Sequence, residues 1–380
     1  MIMKKNVLEA TATLVGCTIG AGILGIPYVV STSGFLTGVV DIVLIGILML
    51  VAHLYLGEVV LRTKGNHQLT GYAKKYTGKL GRFFMIIYMV FAIYGAMTAY
   101  LIMSGEFLGL LLNGSPFFYS MLVFAIMAIM IYLGLEVIEK SELVMMFLFI
   151  GVLFVIVALC LPSVNINNLK GLNISNFFIP YGVVLFAFLG EVAIPEMVEE
   201  LRENRKELRK SIIIGGLIPI VIYILFSLAI VGVSGVNTSK DSMTGLIHFI
   251  NPVVVKVGMI FGILTMLTSF LALGLALKEM FIYDFKLEKI LAWFLTMFVP
   301  LFIFVSGVRN FIEVLSVTGA LTGGVVGVLI VLMHRNASLK GDRKPEFVIK
   351  QNLIVDVLLI LLFAFGIIHQ FLTLFGIIKV

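Results

Sequence analysis

Long, unbroken apolar segments are the feature of this chain that most constrains its fold. A membrane-spanning helix needs about 20 mostly apolar residues, whereas a membrane-spanning strand needs about 10 residues of alternating polarity. The segments here do not alternate, so we predict an all-α membrane protein with eleven transmembrane helices. The predicted spans are 7–31, 34–61, 82–112, 116–135, 142–162, 177–200, 211–235, 251–283, 287–308, 310–334 and 352–377.

The composition excludes several other classes of protein. Hydrophobic residues make up 61% of the chain and charged residues 13%, whereas soluble domains carry about 25% charged residues. A disordered chain, a secreted disulfide scaffold and a typical cytosolic enzyme are therefore excluded. Cys17 and Cys160 lie in apolar runs, and the five histidines are scattered without a metal-binding motif. We expect no enzyme, no catalytic residue and no cofactor other than a coupling ion.

The distribution of Lys and Arg predicts the orientation of the chain in the membrane. With a cytoplasmic N-terminus, the inner segments hold 22 of the 27 Lys and Arg residues, as the positive-inside rule requires. The net charge of +6 is then a topology signal, and we expect no nucleic-acid partner. Short segments between the spans indicate a multi-pass protein of a prokaryotic plasma membrane, surrounded by the lipid bilayer and without an obligate protein partner.

The spans divide into two halves within one domain, 1–380. Spans one to five cover 7–162, spans six to ten cover 177–334, and 352–377 is an extra C-terminal helix. Because each half has an odd number of spans, the second half enters the membrane from the opposite side. The sequence therefore predicts a five-plus-five inverted repeat.

Both halves carry helix-breaking residues within their first span. The first span has four glycines and a proline between residues 16 and 27, and the sixth has Gly190, Pro195 and two acids. Inside a helix, glycine costs about 1 kcal/mol and proline about 3 kcal/mol relative to alanine. We therefore predict that helices 1 and 6 are broken, which is the best sequence indication of a transporter's binding site. The alternative is that the glycines only allow close helix packing.

Broken helices inside a membrane predict the kind of ligand that they bind. Unwound backbone is tolerated there only where it is buried or lines a cavity. The start of a half-helix attracts anions such as a carboxylate, and exposed carbonyl groups attract cations such as ammonium or sodium. A zwitterionic amino acid carries both charges, so we expect an amino acid as the small-molecule substrate.

Three sequence runs resemble a known group of transporters. The run GAGILGIPY at 20–28 resembles the first-helix signature of the amino acid/auxin permease and aromatic amino acid permease families, and FAFLGEVAIPE at 186–196 resembles their sixth-helix signature. The run GEVVLRTKG at 57–65 is also similar. The resemblance implies the five-plus-five inverted-repeat fold of the amino acid/polyamine/organocation superfamily, with helices 1 and 6 unwound at their centres.

The predicted substrate site is built on the two breaks. Backbone N–H groups near Ala21 and Gly22 would face the carboxylate of the substrate, and carbonyl groups of the sixth-helix break would receive its ammonium. Aromatic side chains would contact the substrate side chain, although most aromatic residues in such a chain serve packing or face lipid. The candidate substrate-binding residues are Thr18, Gly20, Ala21, Gly22, Tyr94, Phe186, Ala187, Phe188, Gly190 and Glu191.

Glu191 is the most informative single residue, because it is a carboxyl group inside a broken span. Ionisable residues within the membrane are costly and usually functional. Glu191 is therefore a candidate to relay a proton, to gate the site or to contact the substrate amine. The alternative is a hydrated residue that faces an outer vestibule.

A sodium site is implied by the resemblance. Carried over by position, its ligands would be the hydroxyl groups of Thr268 and Ser269 and the carbonyl groups of Gly16, Ile19 and Thr265. The position that would build a second sodium site is apolar (Ile23), so we expect one site at most. A Thr-Ser pair also joins helices in proton-coupled relatives, so the coupling ion is Na⁺ or H⁺ at this stage.

Together these features predict a secondary active amino acid transporter that works by alternating access. We expect a symporter of neutral or aromatic amino acids, driven by a sodium or proton gradient. The alternative function is a membrane amino acid sensor on the same fold.

The first break yields a direct test. Replacing Gly22 by Leu would place a side chain where the substrate carboxylate has to approach. We expect Gly22→Leu to insert normally and to lose substrate binding, measured by radioligand binding to purified protein. Unchanged transport kinetics would contradict the assignment of the carboxylate.

Overall fold

The computed structural model describes residues 5–65, 67–134, 139–283 and 285–377, and these residues form helices joined by turns and irregular segments. A π-helical turn, Gly319–Gly323, joins the twelfth α-helix to the thirteenth. The fourteen α-helices of the described residues are, in chain order, α1 (Lys5–Thr18), α2 (Gly22–Ser33), α3 (Phe35–Leu61), α4 (Leu69–Leu112), α5 (Pro116–Leu133), α6 (Glu139–Cys160), α7 (Tyr181–Ala187), α8 (Ala193–Glu200), α9 (Leu208–Ser234), α10 (Pro252–Tyr283), α11 (Lys289–Val305), α12 (Phe311–Thr318), α13 (Gly324–Lys340) and α14 (Leu353–Leu374).

The lengths of these helices fit a membrane protein. Seven helical segments of the described chain are long and apolar enough to cross a membrane, and the bent pair α1–α2 makes an eighth span if it is counted as one. Two further apolar helices, Leu148–Ser163 and Lys289–Val305, are shorter. The prediction of an all-helical membrane protein is therefore confirmed.

Both predicted helix breaks are present. The first span bends by 57° between Thr18 and Gly22, and residues 19–21 join its two halves. The sixth span stops at Ala187 and resumes at Ala193. The two broken spans pack against each other, since α1 contacts α8 and α2 contacts α7, while α9 packs on both halves of the first span.

The bounds of several spans differ from those predicted. The helix of the third predicted span, α4, begins at Leu69 rather than at residue 82. It changes direction at Gly78, whose φ of 78° is a conformation that glycine adopts easily. Charged residues in this first part hid the helix from a search for apolar runs. The sixth span begins at Tyr181 rather than at residue 177, because two turns of 3₁₀ and irregular backbone precede it.

The run at 57–65 ends in a polar network at the C-terminal ends of α3 and α13. Glu58 is 2% exposed. It accepts hydrogen bonds from Arg62 Nε at 2.8 Å and from the backbone N–H of Ile349 at 2.6 Å, and it lies 3.1 Å from His334 Nε2. Nearby, the backbone N–H of Lys64 and the Lys75 ammonium lower the pKa of Asp342. These contacts hold the segments that follow α3 and α13 to the helix bundle.

The sixth and tenth spans approach each other closely through glycines. α7 packs on α12 and on the π-helical turn. A Cβ atom at Gly319 would lie 2.6 Å from the backbone nitrogen of Phe186 and would also overlap the carbonyl oxygen of Gly182. Only glycine permits this contact between two backbones.

Gly319→Ala is expected to destabilise the protein. The added methyl group has to push α7 aside, and overpacking of this kind costs about 1–3 kcal/mol. Thermal unfolding in detergent should show a lower midpoint than for the wild type. Gly151→Ala is the matched control, because a Cβ atom at Gly151 on α6 has nothing within 4 Å. Equal midpoints for the two variants would contradict the packing role of Gly319.

Candidate functional site

Tyr223 of α9 joins the two helix breaks. Its side chain is fully buried. The hydroxyl group lies 2.7 Å from the carbonyl oxygen of Ala187, at the end of α7, and 3.0 Å from that of Thr18, at the end of α1. One side chain thus occupies carbonyl groups that the end of each half-helix leaves without an intrahelical donor.

The breaks also meet through small residues. The Thr18 hydroxyl donates to the Leu14 carbonyl at 2.7 Å. A Cβ atom at Gly190 would lie 2.5 Å from the Thr18 hydroxyl oxygen, and one at Gly22 would lie 2.8 Å from Ala187 Cβ. The structure therefore brings Thr18, Gly22, Ala187 and Gly190 together, as the sequence suggested. Because a leucine at position 22 would also collide with α7, the Gly22→Leu test reports on helix packing as well as on substrate binding.

Open space borders the first break at Gly20. This glycine is half-buried, and a Cβ atom there would have only the Tyr100 hydroxyl oxygen nearby, at 3.8 Å. The next residue, Ala21, is buried and precedes the first turn of α2. In the first turn of α2 the N–H groups of Ile23 and Leu24 donate to the carbonyl groups of Gly20 and Ala21, at 3.3 Å and 3.1 Å. The N–H groups of Ala21 and Gly22 are then the candidates to face a ligand.

The three candidate aromatic residues lie in different surroundings. Phe186 is half-buried and close to Gly22. Phe188 is 2% exposed and packs edge-to-face on Tyr223, with 5.0 Å between the ring centroids. Tyr94 donates its hydroxyl hydrogen to the Leu295 carbonyl on α11 at 3.0 Å. Phe186 therefore lies beside Gly22 where the two breaks meet, and Phe188 packs at the same place on Tyr223. Tyr94 instead has its hydrogen-bond partner on α11.

Glu191 is buried just before α8, the second half of the sixth span. It is 1% exposed, so the reading as a hydrated vestibule residue is wrong for this structure. One carboxylate oxygen accepts the Gly190 N–H at 3.1 Å and lies 3.9 Å from His53 Nε2 on α3. His53 is 2% exposed. Sequence reasoning missed this partner, although an ionisable residue within an apolar span was a sufficient signal.

The predicted sodium ligands lie on helices with different neighbours. Thr268 donates its hydroxyl hydrogen to the Thr265 carbonyl at 2.9 Å, so two of the ligands already bond to each other within α10. That helix packs mainly on α4 and α6, whereas α1, which carries Gly16, packs mainly on α8 and α9. Ile19 is buried in the first break and Ser269 is half-buried on α10. The sodium set stays a prediction.

A concave region lies beside the C-terminal end of α3 and the helix α8. It is a cavity of about 170 Å³. Its lining is mostly basic among the charged residues and does not include residues 18–22 or 187–191. The charged residues that line it are Lys64, Glu199, Arg202, Arg205 and Arg343.

Comparison with known proteins identifies the class. The structure of MhsT in complex with L-phenylalanine shares the fold, with a TM-score of 0.66 at 16% identity over 96% of this chain and 98% of that one. The chain is 28% identical to Tyrosine-specific transport system 1 of Haemophilus influenzae over 73% of each protein. It is 24% identical to Glutamine transporter 2 of Aliivibrio fischeri over 84% of this chain and 86% of that protein.

The tryptophan/tyrosine permease family model matches residues 3–372, so the chain belongs to this family. With its helical membrane fold and these relatives, the protein is a secondary amino acid transporter and not an enzyme. Of the two families that the signatures resemble, the comparisons support the aromatic one, and the amino acid/auxin permease assignment is not confirmed.

The contact of the Tyr223 hydroxyl with the carbonyl groups of Thr18 and Ala187 is called the joint below. Tyr223→Phe is expected to weaken this joint. The variant keeps the ring and removes the hydroxyl group that serves two buried carbonyl groups, a loss of about 1–3 kcal/mol. Thermal unfolding should occur at a lower temperature and the transport rate should change. Tyr283→Phe is the control, because Tyr283 is 76% exposed. An unchanged unfolding midpoint in Tyr223→Phe would contradict the bridging role.

Proposed function

We propose that this protein is a symporter of aromatic amino acids that binds its substrate between the two helix breaks. The observation that carries the proposal is the joint at Tyr223, which holds the ends of α1 and α7 together around unwound backbone. In transporters with discontinuous helices, the substrate site lies at the helix breaks, and access alternates as one part of the bundle moves against the other around that site.

The carboxylate and the ammonium of an amino acid match backbone groups of opposite polarity on the two sides of this joint. The start of α2 offers N–H groups and the positive end of a helix dipole to the carboxylate. The end of α7 offers carbonyl groups to the ammonium, and a carbonyl oxygen that already accepts from Tyr223 keeps a second lone pair. No charged side chain is needed for either contact.

The preference for an aromatic substrate rests on the family and on the space at Gly20. Phe186 lies close to Gly22, where the two breaks meet, and the Tyr100 hydroxyl lies near Gly20. An aromatic ring and a hydroxyl group suit a substrate whose aromatic side chain has a polar tip. The glutamine transporter among the relatives makes a broader neutral specificity the competing possibility.

The membrane arrangement follows from combining spans. The seven long helices and the bent pair α1–α2 give eight spans. Adding α6, α11 and the interrupted pair α7–α8 gives eleven, with a cytoplasmic N-terminus and a plasma membrane location. In this arrangement 7–162 and 177–334 are inverted repeats, and α14 is the extra helix. No protein partner is needed for transport.

The coupling ion is a cation, either Na⁺ at the site predicted on α1 and α10 or H⁺ at a buried acid. The sensor alternative differs from the transporter in one observable way. A sensor binds the amino acid without moving it across the membrane.

Proteoliposomes containing the purified protein test both substrate and ion. We expect uptake of labelled tyrosine, tryptophan or phenylalanine under an imposed gradient, competed weakly by glutamine. Sodium and pH gradients are applied separately. If Na⁺ binds at the predicted site, the Thr268→Val, Ser269→Ala double variant loses sodium stimulation, whereas Thr373→Val, which removes a hydroxyl on α14, retains it. Binding without uptake would favour the sensor.

A further inference from the structure

Glu191 and His53 form an isolated polar pair within the apolar interior. Both side chains are almost fully buried, at 1% and 2% exposure. Glu191 Oε1 and both ring nitrogens of His53 lack a hydrogen-bond partner. Buried polar atoms are nearly always hydrogen-bonded, so each exception calls for an explanation. Three such unpartnered atoms lie in the single contact between Glu191 and His53. This concentration indicates a place where a proton or another group is exchanged.

The charges around the pair are unbalanced unless it holds a proton. Among the described residues, His53 is the only basic side chain that forms a contact within 4 Å of Glu191. With one shared proton the pair has no net charge, whether the proton resides on the carboxylate or on the imidazole. Without that proton the site holds a buried negative charge, which is expensive in an apolar interior.

The remaining ionisable neighbours do not supply a counter-charge. From α9 the ionisable side chain that faces the break is Tyr223, whose hydroxyl is engaged by two carbonyl groups. On α3, Glu58 is paired with Arg62 and lies close to His334. On α1, Cys17 is exposed, and on α8, Glu200 accepts a hydrogen bond from Thr13. The carboxylate of Glu191 is instead supported by the Gly190 N–H and by the start of α8.

We propose that Glu191 and His53 together carry the proton that couples substrate transport to a proton gradient. This inference rests on the proposed function, that is, on amino acid symport. The pair takes one proton from the outer solution, which forms an O–H or N–H bond, and releases it to the inner solution after the breaks have moved. Because occlusion of the pair is far less costly when it is neutral, the loaded carrier closes with the proton bound.

The location of the pair links its charge to the moving parts. Gly190 lies against the Thr18 hydroxyl, and a Cβ atom on Gly190 would be 3.6 Å from His53 Cε1. Protonation therefore changes the charge where the ends of α1 and α7 meet the start of α8. His53, on the unbroken helix α3, places its ring nitrogen 3.9 Å from the carboxylate, beside the contact between the two breaks.

The experiment compares gradient-driven accumulation with substrate exchange in proteoliposomes. With one proton per substrate, an inward gradient of one pH unit sustains up to about tenfold accumulation. We expect Glu191→Gln and His53→Gln to lower this ratio to about one and to keep exchange within about threefold of wild type, because exchange needs no net proton movement. The matched controls are Glu203→Gln and His248→Gln, which alter exposed residues and should accumulate normally.

A double variant tests whether the two residues act as one unit. If they share one proton, Glu191→Gln combined with His53→Gln should be no worse than either single change, since groups that act together are not additive. A second measurement on the wild type uses a pH-sensitive dye to count protons taken up with labelled tyrosine, and it does not depend on whether a variant folds.

The outcomes separate the two proposals. Wild-type protein that neither accumulates nor exchanges amino acids refutes the proposed function. Wild-type transport without proton uptake, or driven by sodium alone, overturns the proton pair. The pair is also overturned if either single variant accumulates substrate at the wild-type level, or if well-folded variants lose exchange together with accumulation.

Discussion

The hydroxyl group of Tyr223 satisfies a requirement on which the rest of this structure depends. A membrane offers no water to unpaired backbone groups, so a broken helix survives only if protein side chains or a ligand take its free ends. Tyr223 reaches the carbonyl groups of both Thr18 and Ala187 from a third helix. One buried hydroxyl group thus offsets part of the free energy lost where both spans unwind. The space beside Gly20 stays open.

The helix breaks could be predicted from the sequence alone, but the side chain that joins the two breaks could not. Glycine and proline act through local backbone energetics, so the breaks near Gly20 and Gly190 could be predicted without knowing any neighbour. Tyr223 and His53 lie on intact, mostly apolar helices, where the rotation of the helix decides whether a side chain faces lipid or the centre. His53 stands out as an ionisable residue, but the sequence does not show that it faces Glu191. That rotation is set by packing between distant segments, which a single sequence does not reveal. The start of α4 was missed for another reason, since its charged first turns lie outside any apolar run.

The two interpretations of the glycines in the broken spans, helix breaking at a binding site and close helix packing, are compatible. Gly20 borders open space, whereas Gly22, Gly190 and Gly319 permit close contacts that a methyl group would prevent. The same residue type thus leaves open space at one position and permits helix packing at others. Only the neighbours of each glycine distinguish the two uses, and these neighbours come from other spans.

The two candidate ion sites differ in how their polar atoms are satisfied. On α10 the Thr268 hydroxyl donates to the Thr265 carbonyl, and both oxygen atoms keep lone pairs that could face a cation. Glu191 and His53 are close to each other and retain unpartnered atoms. A proton adds one short bond to such a pair and removes a buried charge, without requiring a cage of several oxygen atoms.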